Sequence, residues 1–154
     1  MNSKFWLSII FLICCSSVNF SQKKFHKIYF KNGQLKEQGW LLNNQKDGYW
    51  QTYNKENRVT SKGNYSKNQK KGYWYFYHSN RNISEKGWFK NDLKTKEWLY
   101  FYKKSHLKSI LHYKKNKLTG LAVKYYKNGQ KKVRVIIKKV QNLDIGSFFT
   151  KMVT

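Results

Sequence analysis

The side chains that most often carry acid–base and metal chemistry number seven carboxylates, four histidines and two cysteines in this sequence. The carboxylates are Glu37, Asp47, Glu56, Glu85, Asp92, Glu97 and Asp144, and no two of them form a close pair in sequence. General acid–base work by carboxylates needs two such groups held together in environments that push their proton affinities apart. Here only positions far apart in the chain could supply them. The histidines are His26, His78, His106 and His112. The last two are six residues apart, which is not a usual zinc spacing. Cys14 and Cys15 are neighbours inside an apolar run and cannot complete a ligand shell elsewhere. There is no dinucleotide-binding glycine fingerprint, no P-loop, no nucleophile elbow and no HExxH helix. The expectation is a non-enzymatic protein with no catalytic residue, no metal ligand set and no cofactor.

What remains is a surface. Trp40, Lys62, Lys86, Trp88 and Lys108 fall on the polar side of a set of alternating segments. Aromatic rings interleaved with cations can stack on planar ligands and hold anions. The plainer reading, which these residues favour, is that each Trp partly covers its neighbours while Lys keeps the face soluble.

The elements that carry this face repeat every 24 residues. Tyr29, Tyr53, Tyr77, Phe101 and Tyr125 keep that spacing, as do Trp50, Trp74 and Trp98. Gly39, Gly63 and Gly87 keep it too, and so do Gly48, Gly72 and Gly120, a series broken by Lys96. Phe30-Lys31-Asn32-Gly33-Gln34 returns as Tyr126-Lys127-Asn128-Gly129-Gln130. A fixed register held by several residue classes marks a tandem repeat. Each unit reads as a β-hairpin. A first strand dense in aromatics, such as Gly72 to Tyr77, meets a turn, with Asn-Gly in the outer copies tolerating positive φ. A second strand alternates, with Leu35, Glu37, Gly39 and Leu41 on one side against Lys36, Gln38 and Trp40 on the other. Such alternation predicts an antiparallel sheet solvated on one side. Polar connectors, Asn43 to Asp47 and Lys67 to Lys71, then lead into the next unit. Gly39, Gly63 and Gly87 are expected to lie under the large rings of an adjacent strand.

The N-terminus is a routing signal. One positive charge at Lys4 precedes an apolar run from Phe5 to Cys15, followed by polar residues from Ser16. This is the pattern of a secretory signal peptide, and the run is too short for a transmembrane helix, which needs about 20 residues. Cleavage is expected after Ser21, with Ser17 the second choice, so the mature chain starts near Gln22. Acylation of Cys15 is the competing reading, weakened by Cys14 where a small residue usually stands. The organisation is therefore a signal peptide over 1–21, a lead-in over 22–28, repeats over 29–130 and a degenerate capping unit over 131–154. No transmembrane segment is expected in the mature chain.

The formal net charge of +25 invites a polyanion partner. Yet only Arg58, Arg81 and Arg134 among the 32 basic residues are Arg, there is one Ala (Ala122), and Pro is absent. An AT-rich genome produces this bias through its codons. Lys is a hydrated point charge, while planar recognition of phosphate favours Arg. The charge thus reads first as a solvated basic surface and second as a weak polyanion site.

The succession Tyr/Phe-x-x-Asn-Gly, Gly-x-aromatic and Gly-x-Trp over residues 29–130 resembles the bacterial variant of the MORN repeat. The resemblance implies a single-layer, twisted antiparallel sheet of stacked hairpins acting as a protein-interaction or membrane-associated scaffold. Bacterial relatives are often labelled as antitoxins, which act inside the cell, whereas this chain carries an export signal. Asn57, Arg81 and Ser105 replace the turn glycine and Leu111 the strand glycine, so the third and fourth copies are expected to be less regular. The expected role is an exported interaction module of the envelope or cell exterior with a protein partner, and the alternatives are a surface-associated binder of lipid headgroups, acidic glycans or DNA, and an antitoxin or immunity protein.

Overall fold

The computed structural model describes residues 22–137, and over that span the chain is all β. Ten strands form one open antiparallel sheet, each bonded to the next in chain order. They are β1 (Lys24–Tyr29), β2 (Leu35–Leu42), β3 (Gln45–Tyr53), β4 (Val59–Ser66), β5 (Gln69–Tyr77), β6 (Ile83–Lys90), β7 (Leu93–Phe101), β8 (Leu107–Lys114), β9 (Lys117–Tyr125) and β10 (Lys131–Ile137). The fold is the single-layer sheet of tandem hairpins that the repeat implied. The lead-in supplies β1, and the start of the capping unit supplies β10. The expected signal peptide over 1–21, both cysteines and the rest of the expected capping unit lie outside the described residues. Among those residues no helix is long and apolar enough to cross a membrane.

Two kinds of turn line the two long margins of the sheet. On one side, Gly33 N–H donates to Phe30 C=O while Phe30 N–H donates to Gln34 C=O, a type I turn closed by a left-handed residue. The same pattern recurs at Asn54–Arg58, His78–Asn82, Tyr102–His106 and Tyr126–Gln130. Asn57, Arg81 and Ser105 take the left-handed position at φ 54°, 71° and 64°. The turns of the middle copies are therefore as regular as those of the outer ones, because the hydrogen-bonded frame imposes the angle on whatever residue occupies it.

On the other side the connectors are shorter than the polar runs suggest. Asn43-Asn44, Lys67-Asn68, Asn91-Asp92 and Lys115-Asn116 are two-residue turns with both φ positive, the geometry that matches strand twist. The strands extend right up to them. Three of these turns also clip the unit before them: Asn68, Asp92 and Asn116 accept through Oδ1 from the backbone N–H of Lys46, Lys70 and Lys94.

A single layer has no second sheet to bury its apolar face, so the core is built within the thickness of the side chains. The indoles of Trp50, Trp74 and Trp98 lie flat over Gly39, Gly63 and Gly87 of the preceding strands. A Cβ on those glycines would stand 2.4, 2.3 and 2.4 Å from ring carbons. Tyr65 and Phe89 stand edge-on to the flanking indoles, with centroids 5.0 Å from Trp74 and Trp98 respectively. Lys46, Lys70 and Lys94 then cross the rings, with Nζ 4.2, 5.4 and 3.9 Å from the Trp50, Trp74 and Trp98 centroids. Glu37 and Glu85 hold Lys46 and Lys94 in place. The result is that each Trp is almost wholly removed from water.

Each indole N–H also finds a partner, donating to the backbone carbonyl of Trp40, Asn64 or Trp88 at 2.9, 3.1 and 3.1 Å. These carbonyls lie opposite β-bulges in β3, β5 and β7, where Gly48, Gly72 and Lys96 have φ of 113°, 76° and 60°. The bulge thus explains the second glycine series. Lys96, the exception, adopts the left-handed angle all the same.

The last full unit inverts this packing. Leu111 stands where the earlier strands have Gly, and Ala122 where they have Trp. Both are buried, at 1% and 0% exposure, so the larger residue has moved to the other strand and the space remains filled. Leu118 replaces the covering Lys.

Trp74→Ala should cost about 3–5 kcal/mol, and Gly63→Ala, which drives one methyl into that ring, about 1–3 kcal/mol, both read from urea unfolding. An intact unfolding midpoint for Gly63→Ala would disprove the flat ring packing. Leu111→Gly and Ala122→Trp should each destabilise alone. Together they should recover on the order of 1 kcal/mol or more of the summed loss, because they rebuild the Gly–Trp pair.

Candidate functional site

The opposite face of the sheet carries the residues singled out from the sequence. Successive strand registers align Lys27, Gln38, Gln51, Lys62, Tyr75, Lys86, Leu99, Ile110, Val123 and Arg134 in one row across all ten strands. The row is polar and cationic toward β1 and apolar toward β9. Lys62 and Lys86 therefore flank Tyr75 directly.

Lys62 Nζ lies 5.4 Å from the Tyr75 centroid and 5.7 Å from that of Tyr77. The nearby Tyr77 hydroxyl raises its proton affinity above the usual lysine value, despite some desolvation. Lys86 approaches the Phe101 ring at 5.7 Å and Lys108 that of Tyr102 at 5.8 Å. All three cations are thus already placed against protein aromatics.

Trp40 and Trp88 lie in the neighbouring row, in separate clusters. Trp40 meets Phe25 edge-on at 5.3 Å and leans over Gly48. Trp88 meets Tyr73 at 5.5 Å and is covered on one side by Lys96 Nζ at 4.3 Å. They belong to β2 and β6, four strand spacings apart, or about 19 Å. The structure brings Lys62 and Lys86 together around one ring and keeps the two indoles too far apart to clasp a single planar ligand. Both remain accessible, at 41% and 40%.

Tyr49, Tyr73, Tyr75 and Tyr77 share this face and were missed. The first strands carry aromatics at nearly every position, so alternation gives no sign of which ring points where. The 24-residue spacing of Tyr49 and Tyr73 from each other was the available signal.

The acidic residues serve the sheet itself. Glu37 and Glu85 hold lysines over the core, and Asp47 pairs with Lys23 at 2.6 Å. That contact, with hydrogen bonds from Ser66 and Lys67, holds the Asp47 carboxyl below its ordinary value of 3.8. Glu97 lies 3.8 Å from His112, and Asp92 caps Lys70. Among the described residues most of the acid is thus consumed internally, which leaves the surplus of positive charge facing outward. Scanned against family models and curated proteins, the chain matches none.

Polyanion binding through such dispersed lysines should be lost by about 150 mM salt, since each neutralised phosphate adds about one unit to the salt slope. A salt series with DNA, a heparin-like glycan and anionic vesicles should show this loss for all three. Trp40→Ala/Trp88→Ala should cause no selective change. Salt-resistant binding abolished by that double variant would establish a stacking site instead.

Proposed function

We propose that this protein is a non-enzymatic interaction module of the variant MORN-repeat kind, exported to the bacterial envelope or beyond, which presents its sheet to a protein partner. The observation that carries this reading is the exposed aromatic cluster at the β1 end of the sheet. Phe25, Trp40 and Tyr49 are 49%, 41% and 44% accessible although a folded chain gains by covering such rings. Aromatic residues are also the groups that anchor protein interfaces. Among the described residues β1 pairs only with β2, so its outer margin offers backbone groups to an added strand. Lys24 and Lys27 on β1 discourage indiscriminate pairing of that margin, as edge lysines do.

A polyanion-binding role is favoured by the outward-facing charge that remains once the acids are engaged in the sheet. The antitoxin reading rests on the family resemblance, and a toxin gene next to this one would support it.

The test is capture of partners by the tagged, natively processed protein from its own host. Phe25→Ala/Trp40→Ala should abolish recovery of a stoichiometric partner, while Lys104→Ala should leave it intact. The processed chain should begin near Gln22 by intact mass. A cytoplasmic species retaining Met1 would overturn the export reading, and recovery unaffected by the aromatic pair would overturn the interface.

A further inference from the structure

Two of the chain's three arginines meet at one cavity. It lies along the margin of three-residue turns, has a volume of about 440 Å³, and is lined by Arg58, Lys62, Arg81, Gln51 and Tyr77 among others. No carboxylate lines it. The Gln51 carbonyl oxygen already accepts from Gln38 and Tyr53, which leaves the amide N–H2 as the donor end. The Tyr77 hydroxyl adds a further group able to donate, beside Lys62 Nζ, which lies 5.7 Å from its ring centroid. The cavity is thus rich in hydrogen-bond donors and positive charge.

Neither arginine is what its place in the repeat requires. At the position of Arg58, the other copies need only one donor to the next turn. Asn82 donates to Lys103 C=O at 2.8 Å, and the His106 ring contacts Lys127 C=O at 2.7 Å. Arg58 Nη1 makes the same clip to Ser79 C=O at 2.7 Å. The rest of its guanidinium is surplus to that task and is held in place by it. Arg81 occupies the left-handed turn position, which Gly33, Asn57, Ser105 and Gly129 fill elsewhere. A long side chain there contributes strain that glycine or asparagine would lessen. In a chain whose one other arginine is Arg134, the two arginines at these positions line the same cavity.

We propose that this cavity binds a phosphate monoester, its terminal dianion held by the forks of Arg58 and Arg81 and by the Lys62 ammonium. Guanidinium matches phosphate oxygens in pairs, and three cations suit a dianion better than the single charge of a diester. A larger cavity further along the same margin, about 700 Å³ and lined by Tyr102, Lys103, Lys104, His106 and Lys127, has lysines but no arginine. It serves as the internal comparison for charge alone.

Phosphorus NMR titrations of the purified protein in about 150 mM salt, where weak surface attraction is screened, test the assignment. The probes are phenyl phosphate, inorganic phosphate and dimethyl phosphate. Phenyl phosphate should bind, and dimethyl phosphate should not. Inorganic phosphate binding as well as phenyl phosphate would assign the site to the free anion and overturn the ester. Arg58→Asn/Arg81→Asn keeps the clip and eases the turn, so it should weaken binding at least about tenfold without lowering the melting midpoint. Arg58→Lys/Arg81→Lys keeps the charge and removes the forks, and it too should weaken binding. Lys104→Gln/Lys127→Gln should leave affinity within about twofold. No binding by the native protein, undiminished binding by either arginine pair, or equal loss in the Lys104/Lys127 pair would overturn the proposal.

Discussion

Everything in this sheet depends on an indole lying flat on a glycine of the neighbouring strand. A one-layer sheet cannot bury its apolar side against a second layer, and an aromatic ring standing upright would stay wet. Laid over Gly39, Gly63 or Gly87, the ring occupies the volume a Cβ would take and becomes part of the sheet's own thickness. The edge-on rings of Tyr65, Phe89 and Tyr113 then close the sides. Large aromatics can supply the burial that a small domain needs only if their surface is nearly all covered, and this arrangement achieves it with few residues per unit.

The remaining features of the unit follow from that ring. A flat indole puts its N–H against the backbone, and the bulge at Gly48, Gly72 or Lys96 faces the carbonyl that receives it. The outer surface of the ring is covered by an aliphatic stem ending in an ammonium group, as Lys46, Lys70 and Lys94 do, since a long side chain can shield apolar surface while its charge stays hydrated. Two glycines, a Trp and a Lys are one device. Where the Trp is gone, at Ala122, Leu111 and Leu118 take over and the covering cation is not needed.

Because each unit packs only on its neighbours, the sheet is extended by contacts between adjacent units, as in other repeat proteins. Clips on both margins tie one turn to the next, through Asn68, Asp92 and Asn116 on one side and Arg58, Asn82 and His106 on the other. Toward the first strands, the face opposite the buried indoles carries tyrosines, lysines and the exposed rings of Trp40 and Trp88, outside the packing of the core. Variation there changes what the sheet can bind without changing how it is built.

The sequence by itself determined the fold class, the hairpin unit and its spacing. Period-two alternation, turn chemistry and the 24-residue recurrence are local signals that each copy restates. It also determined that Gly39, Gly63 and Gly87 would lie beneath large rings, since glycine in a strand has few other uses. Only the tertiary structure decided which rings go to which face, because the first strands carry aromatics at nearly every position and alternation is silent there. It decided that Lys70, which reads as part of a polar connector, lies in a strand over Trp74, since the true turn is just two residues long. It separated Trp40 from Trp88, which share a row type but sit on β2 and β6. And it brought Arg58 and Arg81 to one cavity: they belong to different turns, and only the stacking of one hairpin on the next makes them neighbours.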